Sequence, residues 1–286
     1  MYVSVRDDML PNDLNLSDSL EQLGLSAVEL GVSQSVEIEL PSPDGPETYC
    51  LASPGDRNRL SARLDQDDLR VCAFLMGNDF SSDNVEEEME ALVNTARAAE
   101  ALDVPVVRVD LLPHTGDMEE SDFMDRCEKA LCRAVDNTEE VDFGIENHGG
   151  TSNRPQFLDD MLERMDTGRV GITLDTGNFY WFGHPLTHVY ELMEKYADRV
   201  KHTHLKNIAY PAEMREQRRE TGYKYGEYVC PISEGDVDHR HVVSILEKAG
   251  YDRSLCIEDE SLGQVPEPER MSVLREDVEY LKSLLQ

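Results

Sequence analysis

Positive charge is scarce in this chain. Its 286 residues carry 27 Lys plus Arg against 59 Asp plus Glu, a formal net charge of −32 with His neutral. Affinity for phosphate backbones comes from clustered cations that release counterions, so this field repels polyanions and argues against a nucleic-acid partner. No run approaches the ~18–20 apolar residues that a membrane span needs, and the opening MYVSVRDDML has no cationic stretch leading into an apolar one. The six cysteines, Cys50, Cys72, Cys127, Cys132, Cys230 and Cys256, contain no C-x-x-C pair. The expectation is a soluble cytoplasmic protein with reduced, mostly buried thiols and no membrane contact. G-x-G-x-x-G and G-x-x-x-x-G-K-S/T are also missing, so the glycine-rich nucleotide folds lose their signal.

The hydrophobic fraction of 40% is enough for a sizeable core. Arg outnumbers Lys by 20 to 7, which together with the acid excess reads as a halophilic surface, one whose self-repulsion a salty cytoplasm screens.

Short runs rich in Val, Ile and Leu recur between stretches of helical spacing. The runs are Tyr2 to Val5, Ala27 to Val32, Arg70 to Met76, Val106 to Leu112, Val141 to Glu146, Val170 to Asp175, Val200 to Leu205 and Leu255 to Glu258. In VEEEMEALVNTARAAEAL the apolar residues Met89, Leu92, Val93, Ala96 and Ala99 fall three or four apart on one helical face. FMDRCEKALCRAV, PQFLDDMLERM, LTHVYELMEKYA, HVVSILEKAG and MSVLREDVEYLKSLL repeat the pattern. An eightfold strand and helix alternation predicts an α/β fold of one (β/α)₈ barrel domain spanning 1–286. The proline-rich segment 34–58 reads as an extended loop, and 207–236 as a second insertion, both over the face where strands end. Within the second, Arg215, Arg218 and Arg219 are expected on a solvated helix face, or as cations folded back to the site.

Four late strands finish on a side chain able to bind a metal or move a proton: Glu146, Asp175, His204 and Glu258. The first three are 29 residues apart, one strand and helix unit each. Parallel barrel strands end at one mouth, so the four should face each other there. Three carboxylates brought together repel unless a cation neutralises them. Three oxygens and one imidazole suit one Mn²⁺, Mg²⁺ or Co²⁺ ion, with Zn²⁺ also compatible.

The motifs Ile145-Glu146-Asn147-His148, Leu174-Asp175-Thr176-Gly177-Asn178, His202-Thr203-His204-Leu205-Lys206, Glu234-Gly235-Asp236-Val237-Asp238 and Ala249-Gly250-Tyr251-Asp252 leading to Ile257-Glu258 resemble the xylose-isomerase-like barrel superfamily. The resemblance is to its sugar phosphate isomerase/epimerase branch and covers nearly the whole chain. It implies a divalent metal held by Glu146, Asp175, His204 and Glu258, with the two glutamates acting as acid and base on opposite faces of a ketose or related keto-sugar. Two positions depart from the ketose 3-epimerase pattern. Asn178 stands where those enzymes often place a His, and Tyr210 where they tend to carry an Arg.

Removing a proton beside a carbonyl requires that the enolate charge be stabilised, which a chelated metal does as a Lewis acid. Returning the proton to the opposite face gives an epimer, delivery to the neighbouring carbon an isomer, and loss of a β-hydroxyl a dehydrated product. The sequence reading therefore puts a metal-dependent sugar isomerase or epimerase first and a lyase on a keto-sugar or keto-inositol second. An apurinic endonuclease-like hydrolase and a non-catalytic sugar-binding barrel come behind, and a homo-oligomer is compatible. His148, Asn178, His202, Lys206, Arg108 and Trp181 are the expected substrate contacts, with an orienting role for His202 and an ion pair from Arg108 to Asp110 as alternatives.

Overall fold

The Val, Ile and Leu runs form the strands of a closed parallel barrel in the computed structural model, which describes residues 1–42, 45–113 and 118–286. In chain order they are β1 (Tyr2–Arg6), β2 (Ala27–Val32), β3 (Arg70–Met76), β4 (Val106–Val109), β5 (Asp142–Glu146), β6 (Val170–Asp175), β7 (Val200–Leu205) and β8 (Ser254–Ile257). Neighbours in this series pair side by side, and β8 closes on β1 with Val3 opposite Leu255 and Val5 opposite Ile257. A long helix follows each strand: α1 (Leu16–Leu23), α2 (Pro54–Gln66), α3 (Val85–Ala101), α4 (Glu120–Asp136), α5 (Pro155–Arg164), α6 (Leu186–Tyr196), α7 (His239–Lys248) and α8 (Glu267–Leu284). The chain is thus the expected (β/α)₈ barrel.

Local chemistry sets the helix ends. Asn15 accepts a hydrogen bond from the Asp18 amide at 2.8 Å to open α1, and Gly24 closes it in the left-handed region at φ 61°. Proline occupies the first turn of α2, α5 and α8, where an amide proton would have no helical partner. The stripe Met89, Leu92, Val93, Ala96 and Ala99 is the buried face of α3.

Three features differ from expectation. Strand β4 stops at Val109 rather than Leu112, and Asp110 beyond it pairs with Arg108 and His148. The segment expected as an extended loop at 34–58 holds an antiparallel hairpin, Glu37–Leu40 with Glu47–Cys50, and the start of α2; its residues 43–44 lie outside the described ones. The alternation in Glu37–Leu40, with Ile38 and Leu40 buried and Glu39 exposed, is the strand pattern that the flanking prolines mask. In 207–236, Asn207–Ile208 pairs with Val229–Cys230 and a single helical turn spans Tyr225–Tyr228. Among the described residues no helix is long and apolar enough to cross a membrane.

Candidate active site

Glu146 ends β5, Asp175 ends β6, His204 lies in β7 and Glu258 follows β8. The barrel brings one ligand atom of each to within 4.8 Å of all the others. All four are buried, none more than 4% exposed. Two arginines pin the glutamates from outside. Arg108 donates through Nε to Glu146 Oε2 at 2.5 Å and also through its terminal nitrogen, while Arg6 donates to Glu258 Oε1. The other oxygens, Glu146 Oε1 and Glu258 Oε2, lie 3.2 and 3.3 Å from His204 Nδ1. Burial pushes the Glu146 carboxyl up, but the charges of Arg108 and His204 hold it well below the usual carboxylate range.

The opposite nitrogen of His204 is committed elsewhere, since Nε2 donates to Glu29 Oε2 at 2.8 Å. Burial drives the imidazole pKa down, and the charges of Glu29 and Glu146 overcome this and raise it to about 9. Glu29 lies in β2, 1% exposed, and sequence reasoning missed it. A register shift between Val28 and Glu29 in the pairing with β3 accompanies its place inside the barrel, and such bulges re-aim side chains. A second shift, between Ile172 and Thr173 in the β6 pairing with β7, sets the register that places His202 and His204 beside Thr173 and Asp175.

Asp175 is anchored by its own turn: the amides of Gly177 and Asn178 donate to Oδ1 at 2.8 and 2.7 Å. Its Oδ2 and Glu258 Oε2 receive no hydrogen bond, although both are buried. Lys206 is their nearest cation, with Nζ 3.1 Å from Asp175 Oδ2, 3.3 Å from Glu258 Oε2 and 2.8 Å from Glu260 Oε1. Burial works against the charge on Lys206, yet Asp175, Glu260 and Glu146 raise its pKa above the ordinary lysine value. Gly177 makes room for this side chain, because a Cβ there would sit 2.7 Å from Lys206 Cγ.

Asp175 Oδ2 and Glu258 Oε2, neither of them hydrogen-bonded, converge on one buried point with Glu146 Oε1 and His204 Nδ1. Such a donor set fits a divalent cation with oxygen and imidazole preference.

A cavity of about 240 Å³ opens beside this cluster, lined by His148, Asn178, Trp181, Lys206, Tyr225 and Glu260. Four expected substrate contacts therefore line one cavity, and Tyr225 and Glu260 join them from single helical turns too short to show a period in the sequence. His148 is half-buried, with Nδ1 3.0 Å from Asp110 Oδ2. Burial lowers its pKa, but Asp110 and Glu146 more than offset this and raise it. Asn178 donates to Glu146 Oε1 at 3.3 Å.

The remaining two expected contacts are not among the residues lining that cavity. Arg108 bridges Glu146, Asp110 and the Met76 carbonyl. His202 precedes His204 by two strand positions, about 6–7 Å deeper in the barrel, and its Nε2 faces Glu29 Oε1 at 3.3 Å. The arginines of the insertion do not reach the cluster either. Arg219, expected on a solvated helix, is instead 6% exposed, sits over the rings of Tyr180 and Tyr210 and donates to the carbonyls of Met214, Tyr180 and His184. Arg215 pairs with Asp236, and Arg218 lies over the Phe182 ring.

A family model described as the xylose isomerase-like TIM barrel matches residues 18–284. An inosose dehydratase from Lacticaseibacillus casei is 25% identical over 227 residues, covering 72% of this chain and 74% of the relative. An inosose dehydratase from Clostridium perfringens is 27% identical over 116 residues, 39% of this chain, and there the chain spans only 37% of the relative's length. Among solved structures, that of the IOLI protein with a bound zinc atom superposes with a TM-score of 0.70 at 14% identity, over 97% of this chain and 96% of the other. With the closed barrel and a match over nearly its full length, the chain belongs to the xylose isomerase-like TIM barrel family.

Proposed function

We propose that the chain is a divalent-metal-dependent, single-domain enzyme acting on a small polyhydroxy ketone, a keto-inositol or a ketose, in which Glu146 and Glu258 move a proton at the carbon beside the carbonyl. The observation that carries this reading is the matched pair of arginine clamps. Each glutamate gives one oxygen to an arginine and keeps the other beside His204 Nδ1, at 3.2 and 3.3 Å. Each clamp fixes the orientation of its carboxylate, and at Glu146 the Arg108 charge also favours the ionised form that can accept a proton. A divalent ion held by Glu146, Asp175, His204 and Glu258, be it Mn²⁺, Mg²⁺, Co²⁺ or Zn²⁺, would polarise the substrate carbonyl as a Lewis acid.

Around that centre, Lys206 and Asn178 supply hydrogen bonds to substrate hydroxyls and Trp181 an apolar wall. Arg108 and His202 support the glutamates and Glu29 from behind. His148 adds a third proton-transfer group lining the cavity, its pKa raised against burial by Asp110 and Glu146. Elimination of a β-hydroxyl needs a proton for the departing oxygen, which His148 can supply, whereas epimerisation exchanges a proton at one carbon between the two glutamates alone. The first assignment is therefore dehydration of a keto-inositol or keto-sugar, which agrees with the activity named for the Lacticaseibacillus casei relative.

Epimerisation or isomerisation is the second reading, favoured by the near-equivalent settings of the two glutamates. A panel of keto-inositols and ketoses incubated with Mn²⁺ in deuterium oxide separates them by product mass. Loss of water supports dehydration; deuterium uptake without loss of water supports the second reading. Finding neither loss of water nor uptake at a substrate carbon with any member of the panel contradicts both.

A further inference from the structure

Beneath the carboxylate cluster, deeper in the barrel, lies a second group of ligand-type side chains that the proposed chemistry does not use. Cys72 of β3, Cys256 of β8 and His202 of β7 bring their sulfur and nitrogen atoms within 4.8 Å of one another. Glu29 adjoins them, with Oε1 3.3 Å from His202 Nε2 and Oε2 3.5 Å from Cys256 Sγ. None of the four is more than 2% exposed. Two of the atoms aimed into the group, His202 Nε2 and Glu29 Oε1, have no hydrogen-bond partner. The two atoms face each other at 3.3 Å and neither has a further partner, so a cation beside them would satisfy both.

We propose that Cys72, Cys256, His202 and Glu29 form a second, thiolate-containing metal site in the barrel interior, selective for a soft or borderline ion such as Zn²⁺. Bond lengths of about 2.3 Å to sulfur and about 2.0–2.1 Å to nitrogen or oxygen put neighbouring ligands of a tetrahedral zinc about 3.3–3.8 Å apart. The 3.3 Å between His202 Nε2 and Glu29 Oε1 matches such an edge, while the other oxygen, Oε2, stays with His204 Nε2 at 2.8 Å. The donor set S₂NO differs in kind from the oxygen-rich set above it, so the two sites sort ions by softness. With four protein ligands and no exposed face the lower site is closed, which is the form of a structural rather than a reacting centre.

Glu29 joins the two levels. Its Oε1 faces His202 and its Oε2 receives the His204 hydrogen bond at 2.8 Å. An ion bound below would fix the carboxylate that turns His204 Nδ1 toward Glu146 and Glu258, as carboxylates behind ligating histidines do.

Protein produced in medium with Co²⁺ in place of zinc tests the site without any variant. The expected result is a thiolate-to-cobalt charge-transfer band in the near ultraviolet with the intense visible absorption of tetrahedral Co²⁺. Cys72→Ser combined with Cys256→Ser should abolish the band and remove one equivalent of metal while Mn²⁺ still binds the upper cluster. Glu146→Gln combined with Glu258→Gln should keep the band, which separates this site from the one in the proposed function. Cobalt-loaded protein with no charge-transfer band, a band that survives loss of both cysteines, or a disulfide joining Cys72 to Cys256 in protein isolated under reducing conditions would overturn the proposal.

Discussion

Replacing Arg108 by Met removes the cation that holds Glu146 in place while nearly preserving side-chain volume. The Arg108 side chain is 6% exposed and that of Glu146 1%, so solvent screens the pair little. Arg108 also reaches the Met76 carbonyl at 2.9 Å and Asp110 at 3.3 Å, so its removal takes a partner from three acceptors, of which Asp110 keeps His148. Breaking a buried pair by deleting one partner costs about 3–5 kcal/mol. For a chain of this size the unfolding entropy converts that into a drop in Tm of about 5–8 °C. The measurement is thermal unfolding of metal-free Arg108→Met beside the parent protein across pH. Because Glu146 is held below the ordinary carboxylate range, the stability from its pairing is present above the unfolded-state pKa of about 4.3 and lost as pH falls through the folded value. The gap in Tm should therefore be widest near neutral pH and narrow below pH ~4. Adding Glu146→Gln should recover a large part of the loss by removing the orphaned charge. A single variant as stable as the parent at pH 7, or a double variant less stable than the single, would refute the reasoning.

Three other outcomes follow from buried or surface charge. Asp7, whose pKa burial raises to about 7 although the Gly31 amide donates to it at 3.0 Å, opposes folding increasingly as pH rises from its unfolded value toward 7. Asp7→Asn should raise Tm above pH 7 and leave it nearly unchanged at pH 4, as read by melts at the two pH values. Arg219→Ala, which empties the space over Tyr180 and Tyr210 and frees several carbonyls, should cost about 2–4 kcal/mol in denaturant unfolding. The net charge of −32 predicts a higher Tm in molar KCl than in low salt, and equal stability in both would contradict the halophilic reading.

The barrel and its four convergent strand ends were legible because both are periodic. Strand runs recur with helices between them, and the 29-residue steps from Glu146 to Asp175 to His204 mark equivalent positions in successive units. What the periodicity does not encode is direction at irregular points. Glu29 reads as one acid within an apolar strand until a bulge is known at Val28. Arg6 is the last residue of β1 and reads as a strand end in solvent, yet it clamps Glu258. Arg219 lies in a segment whose composition suggests a polar helix, and only the rings of Tyr180 and Tyr210 and the surrounding carbonyls explain its burial. His202 shares the strand parity of His204, so sequence spacing assigns it the same face one layer deeper, but not its partner there, Glu29.

The central claim is that Glu146, Asp175, His204 and Glu258 hold one divalent ion beside the cavity of His148, Asn178, Trp181 and Lys206. Crystals grown with Mn²⁺ and measured at the manganese absorption edge test it directly. The expected result is one anomalous peak about 2.0–2.2 Å from the facing carboxylate oxygens and His204 Nδ1. Manganese absent from that point in a crystal that holds it elsewhere, or bound there without contact to Glu146 and Glu258, would contradict it.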